Sequence, residues 1–152
     1  MPKSHSDLAL LIDAIARTQG RLRSAFAPAR EGSQLSDMEH TVLVAVVEAL
    51  TAPTVPQIGR SLGHPRQVIQ RAANRLVDAG LIRGQANPDH KRASLLVATA
   101  EGRKIQAQAN RRAQQIAARL MANLDPAQVR EATALLGAIR AGLEHHKEDH
   151  NR

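Results

Sequence analysis

The 152-residue chain has a formal net charge of +7, a length typical of one domain and a charge that favours a polyanionic partner. It contains no cysteine and Phe26 is its one aromatic residue, which excludes disulfides and thiol redox switches and removes the rings on which RNA and single-strand readers stack bases. No apolar run reaches the length of a signal peptide or a membrane span, which predicts a cytoplasmic protein with no membrane partner.

The first predicted helix begins near residue 5, with Ser6 as its cap, and continues to about residue 27, just before Pro28. Its apolar residues follow helical spacing and form a stripe of Leu8, Leu11, Ile12, Ile15 and Leu22. We expect a loop over residues 29–34.

A second helix is predicted from Ser36, because Ser36-x-x-Glu39 has the pattern of a capping box. Its helical spacing directs inward Leu43, Val46, Val47 and Leu50. The valines at positions 42, 44 and 46 also alternate as a strand would, and the capping box favours the helix over this alternative.

Two short helices separated by a glycine are predicted next. Thr54-Val55-Pro56-Gln57 combines a capping hydroxyl, a proline in the first turn and a glutamine that can reach back, and Gly63 ends the helix. Pro65 opens the following helix. Its apolar side has Ile69, Ala72 and Leu76, and its other sides carry Arg66, Gln67, Gln70, Arg71, Asn74 and Arg75.

A basic hairpin follows Gly80, which ends the second of these helices. Residues 81–83 and 93–97 read as strands, and the turn between them contains Asn87-Pro88-Asp89-His90-Lys91-Arg92. Helix, turn, helix and hairpin in this order predict a winged helix-turn-helix that binds duplex DNA. From Arg60 to Arg92 there are seven basic residues against two acids, a net charge of +5, although a solvated basic face without a partner remains an alternative.

Two long helices are predicted after Gly102. The first has a stripe of Ile105, Ala109, Ala113, Ile116 and Leu120. The last begins at Asp125-Pro126 and has a seam at alternating spacings of three and four: Val129, Ala132, Leu136, Ile139 and Leu143. Such a seam needs a helical partner, and a second copy of the chain or a bundle within one chain would provide it. We expect the final residues 144–152 to be solvated and frayed.

Between Ser36 and Gly102 the sequence resembles the MarR (multiple antibiotic resistance regulator) family of bacterial transcription regulators. Residues 58–63 look like the first helix of its DNA-binding unit, residues 66–71 like its recognition helix, and residues 76–82 like the motif Leu-x-x-x-Gly-Leu-hydrophobic that follows. Residues 92–102 look like the second strand of the wing and its exit. With the terminal helices included, the resemblance covers nearly the whole chain.

The sequence departs from the family pattern at two places. The family usually has Asp-x-Arg at the tip of the wing, where this chain has His90 in place of the acid and Arg92 as the arginine. The recognition helix commonly opens on a capping serine, where this chain has Pro65. These departures predict a different support for Arg92 and a cap from His64 or the backbone.

The resemblance implies a mainly α fold with a small β-hairpin wing: a winged helix-turn-helix over about residues 35–100 within a single domain, with dimerisation helices over about 5–27 and 101–146. It implies a homodimeric regulator, expected to be a repressor, on a pseudo-palindromic operator, and a small-molecule effector of unknown identity. The candidate DNA contacts are Thr54, Gln57, Pro65, Arg66, Gln67, Gln70, Arg71, Asn74, Arg75, Arg83, His90, Lys91 and Arg92. The candidate dimer contacts are Leu8, Leu11, Ile12, Ile15, Ile116, Leu120, Val129, Leu136, Ile139 and Leu143.

The sequence contains no pattern that predicts catalysis or a cofactor. There is no Ser-His-Asp order, phosphate-binding glycine loop or carboxylate pair in an apolar setting. His146 and His150, beside His145, have a spacing that could bind a metal, but a frayed polar tail explains them better. A non-specific architectural DNA binder and a winged-helix protein-interaction module remain alternatives to a sequence-specific regulator.

Overall fold

The protein is described by a computed structural model that covers the backbone of residues 3–149 and the side chains of residues 7–144. The elements in chain order are α1 (Lys3–Phe26), α2 (Asp37–Val47), α3 (Val55–Leu62), α4 (Arg66–Asp78), β1 (Ile82–Gln85), β2 (Leu95–Ala98), α5 (Ala100–Met121) and α6 (Pro126–Asp149). The chain divides into two compact units, Met1–Ala113 and Gln114–Arg152. Over the described residues, no helix is long and apolar enough to cross a bilayer.

Both predicted capping boxes are present. The amide of Ser36 donates to Glu39 Oε2 at 3.0 Å, and the amide of Glu39 donates to Ser36 Oγ at 3.2 Å. The amide of Thr54 donates to Gln57 Oε1 at 2.8 Å, and the amide of Gln57 donates to Thr54 Oγ1 at 3.4 Å. These bonds satisfy amides that would otherwise lack partners at the start of α2 and α3.

The turn between α3 and α4 depends on Gly63, which ends α3 in the left-handed region at φ 68°. Pro65 occupies the N-cap position of α4 and makes no side-chain cap. Its carbonyl oxygen accepts from the amides of Val68 and Ile69 instead, so the backbone serves as the cap. The start of α4 is therefore one residue later than the sequence predicts.

The core of the first unit lies between α2, α3, α4 and the hairpin. Its fully buried side chains include Val42, Leu43, Ile58, Ile69, Leu76 and Ile82. The predicted apolar sides of α2 and α4 supply three of these six side chains, namely Leu43, Ile69 and Leu76. Leu50 is an error of the prediction, since α2 ends at Val47 and Leu50 lies fully exposed in the turn beyond it.

The hairpin pairs β1 and β2 antiparallel, with Ile82 opposite Ala98 and Gln85 opposite Leu95. Both strands lie one or two residues later than predicted. Where the hairpin leads into α5, the amide of Gly102 donates to Thr99 Oγ1 at 3.1 Å. A Cβ atom on Gly102 would lie 2.0 Å from the carbonyl oxygen of Leu81, so only glycine fits there.

Four predicted boundaries are corrected by the structure. Helix α1 begins at Lys3, so Ser6 lies inside it and does not cap it. Residues Ala27–Arg30 form a short 3-10 helix at the start of the expected loop. Gly102 lies within the first turn of α5, because Thr99 caps that helix. The last helix continues to Asp149 and is regular where fraying was expected.

Candidate nucleic-acid interface

Helix α4 presents a polar, cationic face. Because Ile69, Ala72 and Leu76 are buried on one side, the residues between them point outward. Gln70 is half-buried, and the exposed ones are Arg66, Gln67, Arg71, Asn74 and Arg75. Arginine, asparagine and glutamine side chains suit hydrogen bonds to base edges and phosphates. The structure therefore brings the predicted recognition-helix residues together on one surface.

Three side chains of this face have partners. Gln70 Nε2 donates to Asn74 Oδ1 at 2.9 Å, one helical turn away. Arg75 Nε lies 3.9 Å from Oε1 of Glu39, whose carboxylate is almost fully buried. Glu39 thus joins the cap of α2 to the recognition helix, a role that the capping pattern alone did not reveal.

Thr54 and Gln57 at the start of α3 differ in accessibility. Thr54 is buried, and its hydroxyl donates to Gln57 Oε1 at 3.1 Å. Gln57 is exposed, and its side-chain nitrogen Nε2 takes no part in this bond. Of the two, Gln57 is the residue that can reach a ligand, while Thr54 fixes the start of the helix.

The hairpin, which we call the wing (residues 82–98), carries exposed Arg83, His90, Lys91 and Arg92. Asn87 holds its tip: Nδ2 donates to the carbonyl of Ala93 at 2.9 Å, and Oδ1 accepts from the amide of Asp89 at 3.0 Å. Across the side chains of residues 7–144, Arg92 has no ion-pair partner. The different partner predicted for Arg92 is therefore not found among the described residues. Asn87, which sequence reasoning identified only as a turn residue, shapes the tip of the wing.

A cavity of about 110 Å³ lies within the first unit. It is lined by residues 29–33, by His40 of α2, and by Ile105, Gln108, Ala109 and Arg112 of α5. Arg112 donates to the carbonyl of Glu31 at 2.5 Å, and Arg30 pairs with Asp37 at 3.2 Å. No sequence pattern indicated this cavity, because its wall is formed by three segments that are far apart in the sequence.

His40 is the buried ionisable group of the cavity wall. Ser33 Oγ donates to the carbonyl of Arg30 at 2.9 Å and lies 2.6 Å from His40 Nε2. Since a hydroxyl has one proton, the Ser33 oxygen accepts from Nε2, which places the proton of the neutral ring on that nitrogen. Burial lowers the pKa of His40 from its usual 6.5 and the charge of Arg30 lowers it further, while Asp37 and Glu39 raise it.

The predicted dimer contacts are mostly exposed apolar side chains in this single chain. Exposed members are Leu8, Ile12, Ile15, Val129, Leu136, Ile139 and Leu143. Leu11 and Leu120 are half-buried, and the chain itself already buries Ile116. The stripe patterns missed Leu10 and Leu135, which are 66% and 58% exposed.

No group of three His, Cys, Asp or Glu residues that could hold a metal occurs in the part of the chain that the structure describes. The side chains of His145, His146 and His150 lie outside the described residues. The possible metal spacing at the C-terminus is therefore not addressed by the geometry.

Comparison with known proteins gives relatives and a family. The MarR family profile matches residues 33–93, which include α2, α3, α4, β1 and the tip of the wing. Rv2011c of Mycobacterium tuberculosis H37Rv, a protein without an assigned function, is 38% identical over 123 residues, which are 80% of this chain and 83% of Rv2011c. Mb2034c of Mycobacterium bovis matches with the same values.

Solved structures share the fold. CouR of Rhodococcus jostii RHA1, solved bound to p-coumaroyl-CoA, aligns with a TM-score of 0.73 and 22% identity over 83% of this chain and 88% of CouR. A MarR-family regulator of Rhodococcus sp. RHA1 aligns with a TM-score of 0.75 and 22% identity over 89% and 93%. With the mainly helical winged fold and the family profile, these findings show that the chain belongs to the MarR family: it is a DNA-binding transcription regulator and not an enzyme.

Proposed function

We propose that this regulator is a repressor that binds a pseudo-palindromic operator as a homodimer and is released by a small-molecule effector. Helix α4 of each protomer enters the major groove, and the wing contacts the flank. About residues 35–100 form the DNA-binding part, and about residues 5–27 and 101–146 form the dimerisation part. The observation that carries the proposal is the outward face of α4, which is cationic and rich in amides.

The charge of the surface supports binding to DNA. Arg66 and Arg71 of α4 and Arg92 of the wing are exposed, and no ion pair neutralises them within residues 7–144. Unpaired guanidinium groups contact phosphates, fork onto guanine, or enter a narrow minor groove. A protein-interaction module would instead expose aromatic or aliphatic anchors on this face.

The terminal helices support a homodimer. Seven of the ten candidate contacts, on α1 and α6, expose large apolar side chains, and such surface in a stable protein indicates an interface. A two-fold dimer uses the same patch on both copies. It would also present two copies of α4 to one face of the duplex, as a palindrome requires.

The cavity beside His40 supports an effector. Its volume of about 110 Å³ is below the several hundred cubic ångströms typical of drug-sized ligands. Arg30 and Arg112 in the wall favour a small anion, one much smaller than the p-coumaroyl-CoA that CouR binds. Helix α2 connects the cavity to α4, because His40 lines the cavity while the adjacent Glu39 faces Arg75 of α4.

The test is binding of the full chain to labelled duplexes that tile the region upstream of its own gene, compared with a shuffled duplex at the same salt concentration. Sequence-specific regulators prefer their sites by roughly three orders of magnitude or more. We expect one palindromic duplex to bind with such a preference. Equal affinity for all duplexes would contradict the proposal and indicate an architectural DNA binder.

The phosphate contacts are tested by the salt dependence of this binding. Each neutralised phosphate contributes a slope of about −0.9 to the log-log plot of affinity against salt. Arg66→Ala should reduce the slope by about one unit and weaken operator and shuffled DNA alike. Arg140→Ala, on α6 and outside the proposed DNA contacts, is the matched control and should leave the slope unchanged.

A further inference from the structure

The bond between Gln70 and Asn74 distinguishes these two residues from their neighbours on α4. Gln70 Nε2 donates to Asn74 Oδ1 at 2.9 Å. Gln67 and Arg71, on the same face, have no hydrogen-bond or ion-pair partner among the side chains of residues 7–144. The two amides are therefore oriented by each other before any DNA is bound.

This coupling restricts what the pair can offer a ligand. A single free amide turns either its oxygen or its nitrogen outward. Once the two amides are bonded, the oxygen of Gln70 and the nitrogen of Asn74 are the groups directed away from the bond. Rotating both amides by half a turn preserves the bond and only exchanges the roles. In either arrangement the pair presents one outward acceptor and one outward donor.

The bases differ in whether they complement such a pair. In the major groove, adenine presents one acceptor, N7, and one donor, the N6 amino group, whereas guanine presents two acceptors, N7 and O6. Thymine offers one acceptor and cytosine one donor. Among single bases, adenine alone matches one donor together with one acceptor.

We propose that Gln70 and Asn74 act as one coupled reader that selects adenine over guanine at one position of each operator half-site. The proposal rests on the sequence-specific binding proposed above. The competing explanation is that the bond only stabilises α4, as amide pairs one turn apart do in helices without any ligand.

The first experiment selects binding sites from a random duplex library with the full-length chain and then measures single-position changes by fluorescence anisotropy. We expect one adenine per half-site whose replacement by guanine weakens binding roughly 5- to 150-fold, the range that follows from the value of one bidentate contact. Gln70→Ala and Asn74→Ala should each abolish this preference. The double variant should lose no more than either single variant, because each half needs the other.

A second variant tests whether the preferred base can be changed, an outcome that a merely structural bond would not produce. Asn74→Arg supplies two donors in a fork, so the preferred base should change from adenine to guanine at that position. Gln115→Ala, which removes an exposed amide on α5 away from the candidate DNA contacts, is the control and should keep the adenine preference. Circular dichroism of each variant verifies that α4 still folds.

The outcomes separate this inference from the function on which it rests. If the wild-type chain enriches a palindrome but both alanine variants enrich the same bases at every position, the paired-reader proposal is wrong while operator binding stands. Additive losses in the double variant would also overturn it, since they indicate two independent contacts. If the wild-type chain enriches no sequence, the proposed regulator function fails together with it.

Discussion

The winged helix-turn-helix core (α2 to β2) and the terminal helices α1 and α6 differ in whether their leucine side chains are buried. In the core, Leu43 and Leu76 are fully buried by other residues of the same chain. On the terminal helices, Leu8 is 49% and Leu136 is 44% exposed, although both lie on regular apolar stripes. The core is buried within one chain, whereas the side chains described for residues 7–144 leave most of the stripes on α1 and α6 exposed.

Charged groups also divide into those paired within the chain and those without a partner among the described residues, and this division does not follow that of the leucines. Near the cavity, Arg23 and Arg30 both pair with Asp37. On the wing, Arg92 is exposed with no ion pair in the described part of the chain. Groups that the chain satisfies itself hold the fold, and groups that it leaves unsatisfied mark where a second copy or DNA would bind.

The largest effect is expected from charges placed on the exposed stripe of α6. Leu136→Asp combined with Ile139→Asp would bury two unpaired carboxylates in the proposed dimer interface, at a cost of about several kcal/mol each. We expect a monomer, or loss of soluble protein, by multi-angle light scattering at micromolar concentration.

Ala134→Asp combined with Ala138→Asp is the matched control for the stripe, because it adds the same charge on the other side of α6 by the heptad pattern. The control should remain a dimer. An unchanged dimer mass and fold for the Leu136 and Ile139 variant would remove the proposed interface.

The tight fit of the core is tested by Gly102→Ala. The new Cβ would lie 2.0 Å from the carbonyl oxygen of Leu81, so the junction of wing and α5 must shift, at a cost of about 3 kcal/mol or more. Gly137→Ala on α6 meets nothing within 4 Å and should instead stabilise its helix by about 0.5–1 kcal/mol. Urea unfolding measures both, and equal effects would contradict the assigned close approach.

Much of the fold could be predicted because its signals are local. The capping boxes at Ser36 and Thr54 depend on residues three apart, and Gly63 ends α3 as expected. The predicted burial of Leu50 was wrong because the spacing of apolar residues does not show where a helix ends. The predicted start of α1 was wrong because a residue type that can cap a helix, such as Ser6, also occurs inside helices.

The residue types of the candidate site could be predicted from the sequence, but the contacts between its separate segments could not. The outward face of α4 follows from helical periodicity, so Arg66 and Arg71 were identified correctly as lying on it. The cavity beside His40 and the ion pair between Glu39 and Arg75 join segments far apart in sequence. Periodicity gives no information about such contacts, since it describes only one element at a time.

The unpaired charge of the wing is tested by Arg92→Ala. If this arginine enters the minor groove, its loss should weaken operator binding by about 1–3 kcal/mol, by analogy with one good groove contact, and reduce any preference for A·T-rich flanks. Arg17→Ala, on α1 and paired with Asp13, is the control in fluorescence anisotropy. Native affinity of the Arg92 variant would mean that the wing does not touch DNA.

The smallest effect is expected from His40. The test is whether protonation of this buried imidazole lowers the free energy of unfolding. Because the pKa of His40 is lowered in the folded chain, the unfolded chain binds more protons as the pH falls through about 6.5. The free energy of unfolding should therefore decrease below that pH, by at most about 1.4 kcal/mol per pH unit for one proton. His40→Gln can still donate to Ser33 but does not titrate, so its stability should depend less on pH between 7 and 5.5. His64→Gln, which replaces an exposed histidine, is the matched control and should follow the wild type in urea unfolding across that pH range. Parallel stability curves for His40→Gln and the wild type would show that the buried imidazole does not set the acid sensitivity of the fold.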